Sequence, residues 1–196
     1  LRAPRLAEGL WYDEIAAWSE YGPAGPGAIV GNWFDPANHV AHTLATWVSI
    51  ELLSGTLSTE VTLRIPALLA SLVAVVALFG IARHVLGDRA ALVAAAFGAV
   101  WPVMVLEGAE ARGYSMMIAA SAGATWALIA ALDRPQLRTW ILYAVVMALG
   151  VWTHPVTALA GVGHAVVLVA RRDTRRALDV IALAGILSLT LWSPLI

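Results

Sequence analysis

The chain has 196 residues, 60% of them hydrophobic and only 13% charged, with a formal net charge of −1. Soluble domains hold roughly 45–50% apolar and about 25% charged residues, so this is the composition of an integral membrane protein. The near-zero charge argues against nucleic acid as a partner, and the absence of cysteine excludes disulfides, thiolate metal sites and cysteine nucleophiles.

In chain order, residues 1–63 are the least hydrophobic part and are expected to form an extracytoplasmic loop with amphipathic juxtamembrane helices. Asp13 to Tyr21 reads as a short helix with Asp13 at its N-cap and Glu14 in its first turn, closed by Gly22-Pro23 and a Gly/Pro-rich stretch to Gly31. Trp33-Phe34-Asp35-Pro36-Ala37-Asn38-His39 is a turn-rich entry to a second helix near 39–54. On it Val40, Leu44, Trp47, Val48 and Leu52 share one face, and His39, His42, Thr43, Thr46 and Ser49 share the other. A span needs about 20 apolar residues. This segment is shorter and carries two histidines and Glu51, so it is expected to lie in the interface.

Residues 64–196 are expected to form six transmembrane helices, at about 64–84, 90–106, 114–132, 138–153, 156–170 and 177–195. Pro66 falls in the first turn of its span, where a missing N–H is harmless, and Pro102 lies inside its span and should kink it. Trp101, Trp140, Trp152 and Trp192 lie near span ends, where indoles favour the headgroup region. The chain opens in a polar loop without an initiator Met and ends in apolar sequence, so it is expected to be a fragment of a longer protein. The fold class is therefore all-α, a polytopic integral membrane helical bundle.

Arginines collect in alternate gaps between the apolar runs: Arg83 and Arg89, then Arg134 and Arg138, then Arg171, Arg172, Arg175 and Arg176. Such loops mark the cytoplasmic side. The opposite side collects Asp13-Glu14, Glu107, Glu110, Arg112, Tyr114 and His154, and that is where chemistry is expected. Asp13 and Glu14 read either as helix-capping residues or as a general base tuned by aromatic neighbours, and the two roles are compatible. Arg112 reads either as a snorkelling partner of Glu110 or as a phosphate fork, with Arg64 on the same side able to share that work. His39 and His42 lack a third metal ligand nearby, His154 before Pro155 suits a turn as well as a site lining, and His164 reads as a hydrogen-bonding residue inside the bundle.

With these residues in place, the chain resembles the polytopic GT-C superfamily of glycosyltransferases, in its protein O-mannosyltransferase and aminoarabinose-transferase branch. Leu10-Trp11-Tyr12-Asp13-Glu14 resembles the acidic motif of the first extracytoplasmic loop, and Asn38-His39-Val40-Ala41-His42 the signature opening that loop's second helix. Leu63-Arg64-Ile65-Pro66 resembles the Leu-Arg-x-Pro start of the next span, and Glu110-Ala111-Arg112-Gly113-Tyr114 the Ala-Arg-x-Tyr element. The resemblance covers about residues 10–130; the two prolines that usually follow the histidine are replaced by Val40 and Ala41.

The resemblance implies inverting transfer of a sugar from a polyprenyl-phosphate donor to an acceptor hydroxyl on a glycan, lipid or protein, on the extracytoplasmic face of the cell membrane. It implies Asp13 as general base and Glu14 as its assistant. Arg64, Arg112 and His39 would bind the donor phosphate, with His42, Glu110, Tyr114 and His154 lining the site. No cofactor is expected, and a divalent metal is left open. Two other classes fit the composition: a transporter or flippase of lipid-linked phosphates, which would carry ionisable residues deep in its spans, and a non-catalytic membrane subunit.

Overall fold

The computed structural model describes residues 1–32, 38–171 and 174–192, with the side chains of 174–177 left out. Residues 33–37 of the expected turn, Arg172 and the side chains of Arg175 and Arg176 lie outside the described residues.

A 3-10 turn at Ala3–Ala7 precedes three helices of the polar part: α1 (Tyr12–Tyr21), α2 (Pro26–Gly31) and α3 (Val40–Leu53). The bundle follows as α4 (Thr59–Leu86), α5 (Asp88–Val100), α6 (Pro102–Glu107), α7 (Tyr114–Asp133), α8 (Leu137–Thr153), α9 (Ala158–Ala170) and α10 (Thr174–Trp192). The protein is an all-α bundle in which α4 and α7 are each long and apolar enough to cross a membrane.

Side-chain size decides what faces inward. From Ala67 onward the buried residues of α4 are all small (Ala67, Ala70, Ser71, Ala74, Ala77, Gly80 and Ala82), whereas Leu69, Leu72, Val73 and Val76 face out. This inverts the soluble pattern, because lipid solvates a leucine as well as a core does, while small residues let backbones approach. The stripe meets α7, and the approach is close enough that a Cβ on Gly80 would overlap the Trp126 ring at 2.4 Å. Farther along, Trp140, Tyr143, Met147 and Leu168 close a second cluster with α7 and α10. Trp140 is thus a core residue, unlike the headgroup-facing ring its position suggested.

A polar chain runs through this packing. Thr125 donates to the Ser121 carbonyl, so its oxygen is left to accept from Nε2 of His164 at 2.9 Å, and Nδ1 of His164 then faces the Tyr143 hydroxyl at 3.1 Å. All three helices of the contact are tied by one imidazole, as expected for a histidine inside a bundle.

Two prolines behave differently from their sequence reading. Pro66 lies two turns inside α4, not in its first turn. It leaves the Thr62 carbonyl without its usual N–H donor, and the Ser49 hydroxyl of α3 donates there at 2.7 Å. The defect thereby becomes a joint between α3 and α4. Pro102 ends a helix and starts another: it holds Trp101 in extended backbone (φ −58°, ψ 127°), so the expected 90–106 span divides into α5 and α6. Arg2 donates to the Ala99 carbonyl beside this break at 2.9 Å.

The two ends of the bundle differ in chemistry. At one end His84 meets Asp133 at 2.6 Å and Arg83 meets Asp88 at 2.8 Å, which brings the α4–α5 and α7–α8 corners together. At the other end the residue 107–114 segment, the α3 N-terminus and the α8–α9 corner converge under α1.

Candidate active site

Consecutive carboxylates on α1 are separated by the 100° turn of a helix, and they meet different surroundings. The N-cap is Trp11, so Asp13 sits inside the first turn and does not cap it. Glu14 closes the turn by accepting the Trp11 N–H at 3.1 Å. Its side chain is fully buried and also takes Nε and a terminal nitrogen of Arg64 at 2.8 and 2.6 Å, and the Ala111 N–H at 2.6 Å. Burial alone would raise its pKa; the bonds from Arg64 and the two backbone N–H groups outweigh it and hold the carboxyl below the usual carboxylate range.

Arg64 uses its remaining donors on the carbonyls of Arg5, Leu6, Glu8 and Gly9, at 2.6 to 3.1 Å. All five N–H groups are occupied. Arg64, expected from sequence to bind the donor phosphate, is placed here as a brace that gathers the N-terminal strap around α4. Glu14, expected from sequence to assist the base, has its oxygens taken by these donors and fixes α1 against α4 and the residue 111 backbone.

Asp13 and Arg112 contrast with this pair. The Asp13 side chain is 38% exposed, and its nearest cation is Arg112 at a loose 3.6 Å. Arg112 is buried, yet its other contacts are long: 3.5 Å to the Asp13 carbonyl and 3.5 Å to the Tyr114 hydroxyl. Its Nε is shielded and has no partner, and its guanidinium stands 5.5 Å from the Tyr114 ring centre. The Glu110 partner considered from sequence is not its ion pair; the Arg112 N–H bonds the Glu110 carbonyl instead. Buried polar groups in folded proteins nearly always find partners. Here His42 Nε2, Ser115 Oγ and Glu107 Oε2 are also shielded and unpartnered, and all flank Arg112 in sequence or across the site.

His39 joins the loop to α3. Its Nδ1 accepts the Gly113 N–H at 2.7 Å, so the neutral ring carries its proton on Nε2. A Cβ on residue 113 would fall 2.7 Å from that ring, which is why the position holds glycine. The ring also packs edge-on against Tyr114 at 4.9 Å and His154 at 5.1 Å. His154 accepts the Val156 N–H and so serves its turn while lining the cluster.

The face of α3 that bears His42, Thr43, Thr46 and Ser49 is buried against protein, and Val48 and Leu52 on the other face are exposed. The polar face of α3 is thus turned into the site. Among the described residues no three His, Asp or Glu side chains are grouped to hold a metal ion. Beside the site, Val48, Leu52, Ile65, Leu69, Val73 and Met116 line an apolar groove of about 780 Å³ between α3, α4 and α7.

Burial, reinforced by Arg112, lowers the pKa of His39 to about 3 and that of His42 to about 4, although Glu14 works the other way on His42. Both are depressed below the ordinary 6.5, so the unfolded chain takes up protons first as pH falls. Their contribution to stability is present above pH 6.5 and is lost on acidification through the window down to about 4. Melting temperature in detergent is expected to fall across that window, and less steeply in His42→Gln; identical pH profiles would count against a buried neutral His42.

From sequence, Asn38 gave no sign of its role, which is to donate to the Ile29 and Asn32 carbonyls and lock α2 to the α3 N-terminus. The Ala111 N–H was equally silent, since a backbone donor has no letter in the sequence.

A family model described as dolichyl-phosphate-mannose-protein mannosyltransferase matches residues 42–196. The match takes in Arg64, Arg112, Tyr114 and His154 and leaves Asp13, Glu14 and His39 outside; it also extends past residue 130, where the sequence resemblance had ended. No curated protein and no solved structure matches the chain.

Proposed function

Since the chain belongs to the dolichyl-phosphate-mannose-protein mannosyltransferase family, it is a membrane glycosyltransferase, and we propose that it transfers a sugar from a polyprenyl-phosphate donor to an acceptor hydroxyl with inversion. One observation supports this most directly: a buried guanidinium with unfilled donors, Arg112, stands beside a half-exposed carboxylate, Asp13.

The donor phosphate takes Arg112 from Asp13, because a bidentate guanidinium–phosphate pair is stronger than a single 3.6 Å contact. That exchange frees the Asp13 carboxylate to accept the proton of the acceptor hydroxyl. The hydroxyl oxygen attacks the anomeric carbon from the face opposite the phosphate. The bond from that carbon to the phosphate oxygen breaks, and its electron pair leaves on the phosphate, where Arg112 and the Nε2–H of His39 stabilise it. Tyr114 and His154 hold the His39 ring, and Glu110 lines the pocket. The 780 Å³ apolar groove is the place for the isoprenoid tail. In this arrangement α3 lies in the interface, α4 to α10 supply the spans, and the arginine-rich end faces the cytoplasm.

Arg112→Gln in the full-length protein tests the donor side. Losing a charged hydrogen-bond partner costs about 1.5–3 kcal/mol, so affinity for sugar-free polyprenyl phosphate should fall by roughly 10–100-fold, read by binding in lipid nanodiscs. Wild-type affinity in that variant would remove Arg112 from the phosphate site.

A further inference from the structure

The break at Pro102 has a second product besides two short helices. It sets α6 on a new axis, and the last residue of α6 is Glu107. Its side chain is turned inward, and Oε2 is shielded from solvent without a hydrogen-bond partner. Glu110 and Arg112 act on its charge, Arg112 being the residue assigned above to the donor phosphate, and the Arg2 Nε lies beside the adjoining Gly108 without bonding the carboxyl. Burial, then Glu110, raise the pKa of Glu107, with Arg112 opposing them. An inward carboxyl held against such a gradient is costly when nothing donates to it.

A carboxyl with open acceptor sites next to a phosphate fork matches one feature of a glycosyl phosphate: ring hydroxyls, which donate, one or two bonds away from the anomeric phosphate. Lipid phosphate alone offers no such donor, and an acceptor approaching Asp13 comes from the side of α1. We propose that Glu107 is a specificity-determining residue that accepts hydrogen bonds from ring hydroxyls of the donor sugar, so that Arg112 reads the phosphate and Glu107 reads the sugar attached to it. This rests on the donor-site assignment of Arg112. Glu14 does not compete for the role, because its oxygens are saturated by Arg64, Trp11 and Ala111. Asp13 does not either, because it faces the acceptor.

The test uses full-length enzyme in nanodiscs, as wild type and Glu107→Gln, with the polyprenyl-phosphate sugar that it turns over and with monodeoxy analogues of that donor. Wild type should discriminate against at least one deoxy donor by about 10–100-fold in kcat/KM, the range of one or two hydrogen bonds to a charged acceptor. In Glu107→Gln that ratio should shrink by about tenfold, while sugar-free polyprenyl phosphate binds as in wild type. If the variant does not accumulate, Glu107→Asp, which keeps the charge and shortens its reach, is read in the same way. Wild-type discrimination at every hydroxyl in the variant would overturn the proposal, as would an enzyme indifferent to all deoxy donors. Loss of sugar-free lipid phosphate binding in the variant would overturn it too, by assigning Glu107 to the fold or the phosphate. Failure of the underlying donor site shows separately, as unchanged lipid phosphate binding in Arg112→Gln.

Discussion

Asp13→Asn in the full-length protein is expected to lose sugar transfer by about 10²–10⁴-fold, the usual contribution of a positioned general base. The physical case is that the asparagine fills the same volume, keeps the loose contact with Arg112 and leaves the buried Glu14–Arg64 joint untouched, yet cannot take a proton. The measurement is transfer of labelled sugar in membranes, with protein content and lipid phosphate binding followed alongside. Binding should stay at wild-type level and turnover should fall. Asp13→Glu, with its carboxylate displaced by one methylene, should recover part of the rate. Transfer at wild-type speed in Asp13→Asn would remove it as the base.

The neighbouring substitution should fail in a different way. Glu14→Gln leaves the Arg64 guanidinium buried with its countercharge gone, and breaking a buried ion pair costs about 3–5 kcal/mol, much of a typical folding stability. Folded protein recovered in detergent should drop sharply, and lipid binding should drop with it. Because four backbone carbonyls also lean on Arg64, the double variant Glu14→Leu/Arg64→Met should regain only part of the loss. The pH dependence has a definite sign. Glu14 is held below its ordinary 4.5, so the unfolded chain binds its proton first. The stability from this pair is present above pH 4.5 and is lost as pH falls below it. A Glu14→Gln protein as heat-stable as wild type would show that the pair is dispensable.

Asp13 and Glu14 show how far the sequence could be read. Hydropathy and arginine placement located the end of the bundle where the polar residues meet, because both follow from the solvent that each segment must satisfy. The order of short motifs picked out side chains that the structure brings together. Which carboxylate is sealed and which is open depends on what α1 packs against, and α1 rests on residues 50 and 97 positions away. Arg64 and Arg112 are likewise one letter in the sequence. Their difference comes from the carbonyls of Arg5, Leu6, Glu8 and Gly9, which close on one and not on the other. Pro66 and Pro102 were both read from helix position alone, and the structure depends on which partner replaces the missing N–H: Ser49 takes the carbonyl in the first case, and the helix stops in the second.

The gathering of residues 5–14 around Arg64 also bears on how the protein is made. An arginine at the centre of an apolar span costs about 2.5–3.5 kcal/mol on the insertion scale, and Arg64, near the start of α4, meets part of that resistance as the helix passes into the bilayer. Synthesis runs from the N-terminus, so Glu14 and the carbonyls of Arg5, Leu6, Glu8 and Gly9 have left the ribosome before Arg64 does. The countercharge is waiting on the chain when the cation arrives. Only the Ala111 bond to Glu14 must await later spans, so the brace is assembled early and the site-forming loop docks onto it afterwards.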